Sequence, residues 1–101
     1  MKVLRTTLLH PRSGRQALAI ELMDALDNHL SHQPGFVESF ELADDQNKQT
    51  LGRVSVWEDR KAADRAAIQI RTIALKSQLQ IQCLPGTEEH MLEVVSERRA
   101  A

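Results

Sequence analysis

Aromatic residues are scarce in this chain, with two Phe, one Trp and no Tyr among 101 residues. Proteins that bind single-stranded nucleic acid stack bases on several aromatic side chains, and this composition does not supply them. The net charge is -1, and the Lys and Arg residues are scattered along the sequence, so no basic stripe for a phosphate backbone is evident. We therefore expect no nucleic-acid partner.

Cysteine is also nearly absent, because Cys83 is the only one. This excludes an internal disulfide and any metal site built from several cysteines, and we expect Cys83 to be a small buried residue. His29 and His32 are three residues apart, a spacing that can suit a metal, but no carboxylate completes the set. The sequence predicts no metal and no other cofactor.

Long apolar runs are missing as well. No segment approaches the roughly 20 apolar residues that span a bilayer, and no apolar stretch with a small-residue cleavage site follows the first five residues. We expect no membrane partner and a cytoplasmic location. The length is that of one domain, which we place at residues 1–96, with a flexible tail at 97–101.

The most informative stretch, residues 51–67, reads as a strand that turns directly into a helix. Val54 and Val56 alternate with Arg53, Ser55 and Trp57, the period of two that is typical of a strand. Asp59 is a good helix cap, and small or apolar residues then recur at helical spacing, namely Ala63, Ala66, Ala67, Ile70 and Ala74. A second apolar stripe on this helix, Ile68, Leu75 and Leu79, predicts either a break near residues 72–74 or cover on the outer side.

Three further strands and one further helix are predicted around this stretch. Ser13 and Gln16 fit a capping box, which opens a helix that runs to about His32. The strands are predicted at residues 2–9, 35–43 and 90–95, with a polar turn at 44–49. The order is therefore strand, helix, strand, strand, helix, strand.

This order predicts an α+β, ferredoxin-like βαββαβ fold, with two helices on one face of a four-stranded antiparallel sheet. A sheet with one solvated face should alternate apolar and polar residues, but the first and fourth strands carry apolar residues on both faces. A second copy that packs sheet against sheet would cover the outer face. We therefore expect a homodimer.

Two segments carry a resemblance to a known family. PGFVESFELADD at residues 34–45, followed after a polar turn by LGRVSVWEDRKAADRA at 51–66, resembles the antibiotic biosynthesis monooxygenase domain. The resemblance implies a ferredoxin-like fold that dimerises into an α+β barrel, with a pocket between sheet and helices in each subunit. That family includes cofactor-free oxygenases of aromatic polyketides, haem-degrading oxygenases and members with no known reaction.

The resemblance also implies positions for site residues. Trp57 matches the family's tryptophan at the end of the third strand, and Thr6 falls where haem degraders have an asparagine. Ala66 falls where many members have a histidine, which ligates haem in the degraders. Since alanine can neither bind iron nor move a proton, haem degradation is not expected here.

Arg53 and Ser55 share the strand face of Trp57 and are candidates for the same cavity. Trp57 can wall a flat apolar ligand or be plain core packing. Arg53 can hold a phenolate or carboxylate, or else reach solvent or pair with Glu38 or Glu41.

His29 lies on the buried face of the first helix, where it can be a catalytic base or a satisfied core or dimer-edge histidine. The alanines of the second helix either allow close packing against the sheet or leave a void. In the second case, we expect a substrate pocket lined by Trp57, Ile70 and Leu22.

Two functions remain open on these residues. The first is a monooxygenase without cofactor that acts on a small, flat, activated phenol or enol bound between sheet and helices, with the substrate supplying the electrons. The second is a non-catalytic binding or interaction module with a filled core. A space beside Trp57 smaller than a few water molecules favours the second.

Overall fold

Four strands and three helices follow one another in the computed structural model, which describes residues 1–47 and 49–101. Lys48, part of the predicted turn at 44–49, lies outside the described residues. The elements are β1 (Val3–Leu9), α1 (Gln16–Leu30), β2 (Phe36–Ala43), β3 (Leu51–Trp57), α2 (Arg60–Ala67), α3 (Ile70–Ile81) and β4 (Glu88–Glu93).

The strands form one antiparallel sheet in the order β2-β3-β1-β4, and the helices cover one of its faces. This is the predicted ferredoxin-like α+β architecture, with the second helical region divided in two. Because β3 and β1 are the central strands, their inward residues lie deepest under the helices. The α2 and α3 helices follow β3 directly, so the chain passes from the sheet to the helical layer just after Trp57.

The strand register determines which side chains face the helices. Arg53 pairs with Thr7 across β3 and β1, and Trp57 pairs with Val3. Since side chains alternate along a strand, the inward row of β1 is Val3, Arg5, Thr7 and Leu9. Its even-numbered residues, including Thr6, therefore point to the opposite, outer face.

The core between sheet and helices consists of two apolar clusters. The first surrounds Trp57 and contains Val3, Leu26, Leu30, Ala62, Ala63, Ala66 and Leu75. The second contains Leu9, Ala19, Met23, Leu51, Leu79 and Cys83. Leu22 packs against both clusters. The alanines of α2 thus let the helix lie close to the sheet at the Trp57 end.

Several predicted boundaries were wrong. The capping box at Ser13 does not form, because α1 begins at Gln16 after Arg15, which makes no side-chain cap hydrogen bond. The first helix ends at Leu30, two residues before the predicted end at about His32, and Ser31 is its C-cap. β4 begins two residues before the predicted start at 90, since Glu88 and Glu89 already pair with β1.

The second helical region breaks at residues 68–69, earlier than the predicted 72–74. α2 buries Ala62, Ala63 and Ala66, whereas α3 buries Thr72, Leu75 and Leu79. A continuous helix cannot turn both sets inward, since their phases differ, and the extended backbone of Gln69 resets the phase. The Asp59 cap is confirmed, because its Oδ1 accepts a hydrogen bond of 2.8 Å from the Ala62 backbone N–H.

None of the helices in the described part of the chain has the length and apolar character needed to cross a lipid bilayer.

Candidate functional site

Trp57 is buried at the end of β3, where the sheet meets α2. Its ring packs edge-on against Phe36, with ring centroids 5.4 Å apart and planes at 87°. The indole Nε1–H donates a hydrogen bond of 2.9 Å to the Ser55 hydroxyl, two residues back on the same strand face. Trp57 is therefore held at both its edge and its nitrogen.

A small cavity lies beside this indole, between the sheet and the α2–α3 region. Its volume is about 10 Å³, which is room for about one water molecule. Among the described residues, three cationic side chains, two hydroxyls and a row of alanines line it, with no carboxylate. The lining residues are Arg5, Leu30, Arg53, Ser55, Trp57, Ala63, Ala66, Ala67, Thr72 and Lys76.

A second cavity, with a volume of about 20 Å³, lies further along the sheet toward Cys83. The Thr7 hydroxyl is buried here and makes no hydrogen bond within the described residues. Burial raises the pKa of the Cys83 thiol, which keeps it protonated and unreactive. The lining residues are Thr7, Leu9, Leu26, Arg53, Lys76, Leu79, Gln80, Cys83, Thr87 and Glu89.

Arg53 reaches both cavities and forms a buried ion pair with Asp27 of α1. Its Nε and Nη2 donate hydrogen bonds of 3.1 and 2.8 Å to the same oxygen, Asp27 Oδ1. Neither expected arrangement, solvent or pairing with Glu38 or Glu41, is the one observed. Asp27 lies on α1, which packs over the inward face of β3. Glu41, by contrast, is the cross-strand neighbour of Arg53 on β2.

Burial shapes the ionisation of this pair. Loss of solvent raises the pKa of Asp27, and this effect exceeds the opposing attraction of the Arg53 guanidinium. The other carboxylate oxygen, Oδ2, is buried and makes no hydrogen bond to any described residue. Burial and the nearby Asp27 and Asp24 also raise the pKa of Glu41. Acidic groups thus gather on the α1 side of Arg53, away from the Trp57 cavity.

Charged side chains form a rim on the side of Arg53 opposite α1. Lys76 Nζ donates a hydrogen bond of 2.8 Å to Glu89 Oε1, and Arg5 Nη1 lies 3.6 Å from the same oxygen. Arg5 also lies 3.6 Å from Asp64 of α2. Burial by itself would raise the pKa of Glu89, but the hydrogen bond and charge of Lys76, with Arg5 and Arg53, hold it below its usual value.

His29 does not line either cavity. Its Nε2 lies 3.0 Å from the Thr72 hydroxyl, and Thr72 does line the Trp57 cavity. Burial lowers the pKa of His29, helped by the positive charges of Arg71 and His32. His29 is therefore a neutral imidazole above its lowered pKa, one hydroxyl away from the cavity.

Of the predicted site residues, the structure brings Trp57, Arg53, Ser55 and Ala66 to one cavity. The four others, His29 among them, lie elsewhere. Thr6 is on the outer sheet face, because its neighbour Thr7 points inward; Ile70 is 86% exposed at the start of α3, after the helix break. Leu22 packs in the core between the two clusters.

Sequence reasoning missed Asp27, Lys76 and Arg5. Asp27 lies between Met23 at i-4 and Leu30 at i+3, both of which are buried. That flanking pair was the available signal. Arg5 alternates with buried Val3 on β1, and its inward direction follows from that parity once the register is known.

Within the described ranges, no three His, Cys, Asp or Glu side chains are grouped closely enough to hold a metal ion. His32 lies just beyond the end of α1, and its Nδ1 is 2.8 Å from the backbone carbonyl of Asn28.

No protein-family model and no curated protein sequence matches this chain. Solved structures do match its fold. SnoaB, a cofactor-independent oxygenase from Streptomyces nogalater, is 19% identical with a TM-score of 0.85, and the match covers 95% of each chain. Rv0793 from Mycobacterium tuberculosis is 14% identical with a TM-score of 0.88, over 98% of this chain and 100% of that one.

A further structure, named an antibiotic biosynthesis monooxygenase, is 12% identical with a TM-score of 0.83, over 93% of this chain and 99% of that one. The TM-scores establish the shared fold. At identities this low, the reaction must be argued from the site itself. The chain thus has the ferredoxin-like fold of the antibiotic biosynthesis monooxygenase structures, as the sequence resemblance implied.

Proposed function

We propose that this protein is a cytoplasmic, monooxygenase-like homodimer that binds a small, flat, mostly apolar molecule between its sheet and helices. The substrate class is an activated phenol or enol, which is oxygenated without a metal or flavin. The observation that carries the proposal is the lining of the Trp57 cavity, where an indole and alanines meet three cationic side chains with no carboxylate among them. Such a lining suits an aromatic molecule that becomes an anion.

The reaction balances without an external reductant. A phenol with a free ring position takes one O₂: one oxygen atom becomes the new carbonyl of a quinone, and the other leaves as water with two hydrogens from the substrate. The substrate supplies all four electrons. Loss of the phenolic proton gives the electron-rich phenolate, so the protein contributes by stabilising that anion and by removing the proton.

The residues take separate roles in this proposal. Trp57 walls the ring of the substrate, and the Arg53 guanidinium, oriented by Asp27, stabilises the phenolate. His29 receives the proton through the Thr72 hydroxyl, since Thr72 is the group that both contacts His29 and lines the cavity. The lowered pKa of His29 leaves the imidazole neutral and able to accept that proton.

The small size of the Trp57 cavity favours the alternative function, a non-catalytic binding or interaction module with a filled core. Room for about one water molecule meets the criterion of a filled core, and Ser55 and Arg53 already have partners in Trp57 and Asp27. On this reading the protein is a non-catalytic dimeric module. Oxygenation requires the cavity to open when the substrate enters.

Oxygen consumption distinguishes the two functions. We would measure O₂ uptake with 1-naphthol and anthrone-type substrates, and the proposed reaction consumes one O₂ and releases one water, with no H₂O₂, per quinone formed. Trp57→Ala and Arg53→Ala should each lower turnover, and Thr72→Val should lower it most near neutral pH, where His29 acts. Ile70→Ala is the matched control, because this side chain is exposed and outside the cavity. Unchanged turnover in both Trp57→Ala and Arg53→Ala would refute the site, and no uptake with any substrate would favour the module.

The outer sheet face supports the proposed dimer. Large apolar side chains lie about half exposed on the face away from the helices, namely Leu8 at 45%, Phe40 at 50%, Leu42 at 47% and Leu92 at 53%. Val54 and Val56 point the same way from the central strand. A second copy offers a surface of the same size and character, and burial of such apolar area is favourable.

Mass in solution tests this assembly. We expect light scattering to give twice the 11.4 kDa of one chain. Leu92→Lys on the outer sheet face should shift the mass toward the monomer, whereas Ile70→Lys on the helical side should leave the dimer unchanged. A wild-type monomer at micromolar concentration would refute the proposal.

A further inference from the structure

The two internal cavities share a wall. Arg53 and Lys76 line both, so the Trp57 cavity and the Cys83 cavity adjoin at these two side chains. Each cavity holds only one or two water molecules as it stands. Whether they are separate spaces therefore depends on how firmly Arg53 and Lys76 are held.

Arg53 is held firmly. It is 2% exposed, and two hydrogen bonds to a single Asp27 oxygen keep its guanidinium in place. Lys76 is held only at its tip, by Glu89, and its side chain is 25% exposed at the rim. A lysine stem has four rotatable bonds, so it can swing outward along the surface once the ammonium group changes partner. Lys76 is thus the movable part of the wall.

We propose that the two cavities are the ends of one closed slot for a flat aromatic anion of the aryl carboxylate or phenolate class, and that the ligand opens it by taking Lys76 from Glu89. This inference rests on the proposed function and names how its site opens and what charge it selects. The anionic group of the ligand replaces the Glu89 carboxylate as the partner of the Lys76 ammonium. The ring then occupies the space beside Trp57.

The distribution of charge supports an anion. Arg5, Arg53 and Lys76 line the Trp57 cavity, and Glu89, which lines the Cys83 cavity, is the carboxylate that the ligand displaces. Asp27 lies behind Arg53, Asp64 holds Arg5, and Glu89 is shared by Arg5 and Lys76. Glu89, the carboxylate that holds Lys76, is 31% exposed and sits on the edge strand β4, so it can return to water when Lys76 leaves, whereas Asp27 is buried.

The far end of the slot has an unused polar group. The Thr7 hydroxyl is buried, lines the Cys83 cavity and lacks a hydrogen-bond partner in the described structure. Unpaired buried hydroxyls are unfavourable, and a ligand that reaches past Lys76 can bond to it with a second polar substituent. Because Thr7 pairs with Arg53 and with Glu89 across the sheet, the slot suits a fused-ring anion whose second polar group is adjacent to the charged one.

A pair of matched ligands tests the charge selection. We would titrate the protein with 2-naphthoate and with its neutral counterpart 2-naphthamide. Trp57 is the only tryptophan, so its indole ¹H–¹⁵N signal reports on this site alone. We expect both to shift that signal and naphthoate to bind at least tenfold more tightly than the amide, because a charge-assisted hydrogen bond to Lys76 is stronger than one to a neutral carbonyl.

Variants separate the two charged residues. Lys76→Met keeps the volume of the side chain and removes its charge, and it should weaken naphthoate binding about tenfold while leaving the amide unchanged. Lys76→Arg should restore the preference. Glu89→Gln should tighten naphthoate binding, because Lys76 no longer has a competing carboxylate. The controls are Lys61→Met on exposed α2 and Glu88→Gln, the neighbour of Glu89 that faces the other side of β4.

Each result decides between distinct conclusions. If naphthoate and the amide shift the Trp57 signal with equal affinity, a ligand site exists but the selection by Lys76 is refuted. If Lys76→Met binds naphthoate as tightly as the wild type, the gate is refuted as well. If neither ligand shifts the Trp57 signal, the proposed binding function fails together with this inference.

Discussion

The Arg53 guanidinium donates two hydrogen bonds to one oxygen of the Asp27 carboxylate, joining the central strand β3 to α1 inside the core. Both residues are buried, at 2% and 5% exposure. The pair fixes the orientation of the guanidinium, whose residue lines both cavities. What Arg53 can offer a ligand is thus set by a residue that no ligand is expected to touch.

Replacing only one residue of this pair should destabilise the fold more than replacing both. Arg53→Met leaves Asp27 buried without its cation, and we expect a loss of about 3–5 kcal/mol in the free energy of unfolding. The double variant Asp27→Leu/Arg53→Met should recover most of that loss, since no buried charge remains. Urea unfolding at one protein concentration measures both. A double variant as unstable as the single one would contradict this reading.

The Ser55 hydroxyl should stabilise the protein only through the Trp57 indole. Ser55→Ala leaves the buried indole N–H without its acceptor, and we expect a loss of about 1–3 kcal/mol. In a Trp57→Phe background, which has no N–H to satisfy, the same Ser55→Ala change should have a much smaller effect. A thermodynamic cycle of the four proteins by thermal unfolding measures the difference, and additive losses would exclude the coupling.

Gly35 should tolerate alanine less well than Gly14. Both have a positive φ, of 85° and 76°, which makes alanine unfavourable by about 1 kcal/mol at either position. At Gly35 the added Cβ would also collide with the Cβ of Ala62 on α2, whereas at Gly14 it meets open space. We expect Gly35→Ala to lower the melting temperature clearly further than Gly14→Ala. Equal shifts would mean that α2 can move away at little cost.

Acid should weaken the contact between α3 and β4. The pKa of Glu89 is lower in the folded protein than its ordinary value of 4.5, so the ionised form favours folding. This stability is present above about pH 4.5 and is lost as the pH falls through the lowered pKa. Unfolding free energies measured between pH 7 and pH 3 should therefore fall less steeply for Glu89→Gln than for the wild type. Glu88→Gln is the control, and an unchanged slope in Glu89→Gln would refute the assignment.

The imidazole of His29 should titrate below its ordinary pKa of 6.5. Burial disfavours the charged imidazolium, and the Arg71 guanidinium repels it. Arg71→Gln should raise the measured pKa toward 6.5, while Arg65→Gln on α2 serves as a control for a charge on the neighbouring helix. NMR titration of the imidazole signals provides the measurement. A wild-type value at or above 6.5 would contradict the burial of this ring.

Local pattern was sufficient for most of the fold. The alternation of Val54 and Val56 with Trp57, the Asp59 cap and the Pro34–Gly35 helix stop each depend on near neighbours in the chain. Such signals predicted all four strands and the order of strands and helices along the chain. The boundaries that failed depended on longer-range packing: α2 and α3 are separate helices because Ala66 and Leu75 must both face one core.

The candidate site was predictable only in part, for the same reason. Trp57, Arg53 and Ser55 share a cavity because strand parity places them on one face, which the sequence by itself determines. Thr6 points outward because the pairing of β1 with β3 sets Thr7 inward, and the resemblance could not show that parity.

Only the tertiary structure decided what the Arg53 side chain contacts. Asp27 lies 26 residues away in sequence and Lys76 lies on a later helix, so no local spacing links them. Charge-pair geometry depends on where packing places each helix over the sheet, and a shift of one residue on α1 or α3 would bring a different side chain to that point. The sequence determined the layers and the inward row of β3, whereas the packing of helices on the sheet decided the ion pairs that shape the cavity.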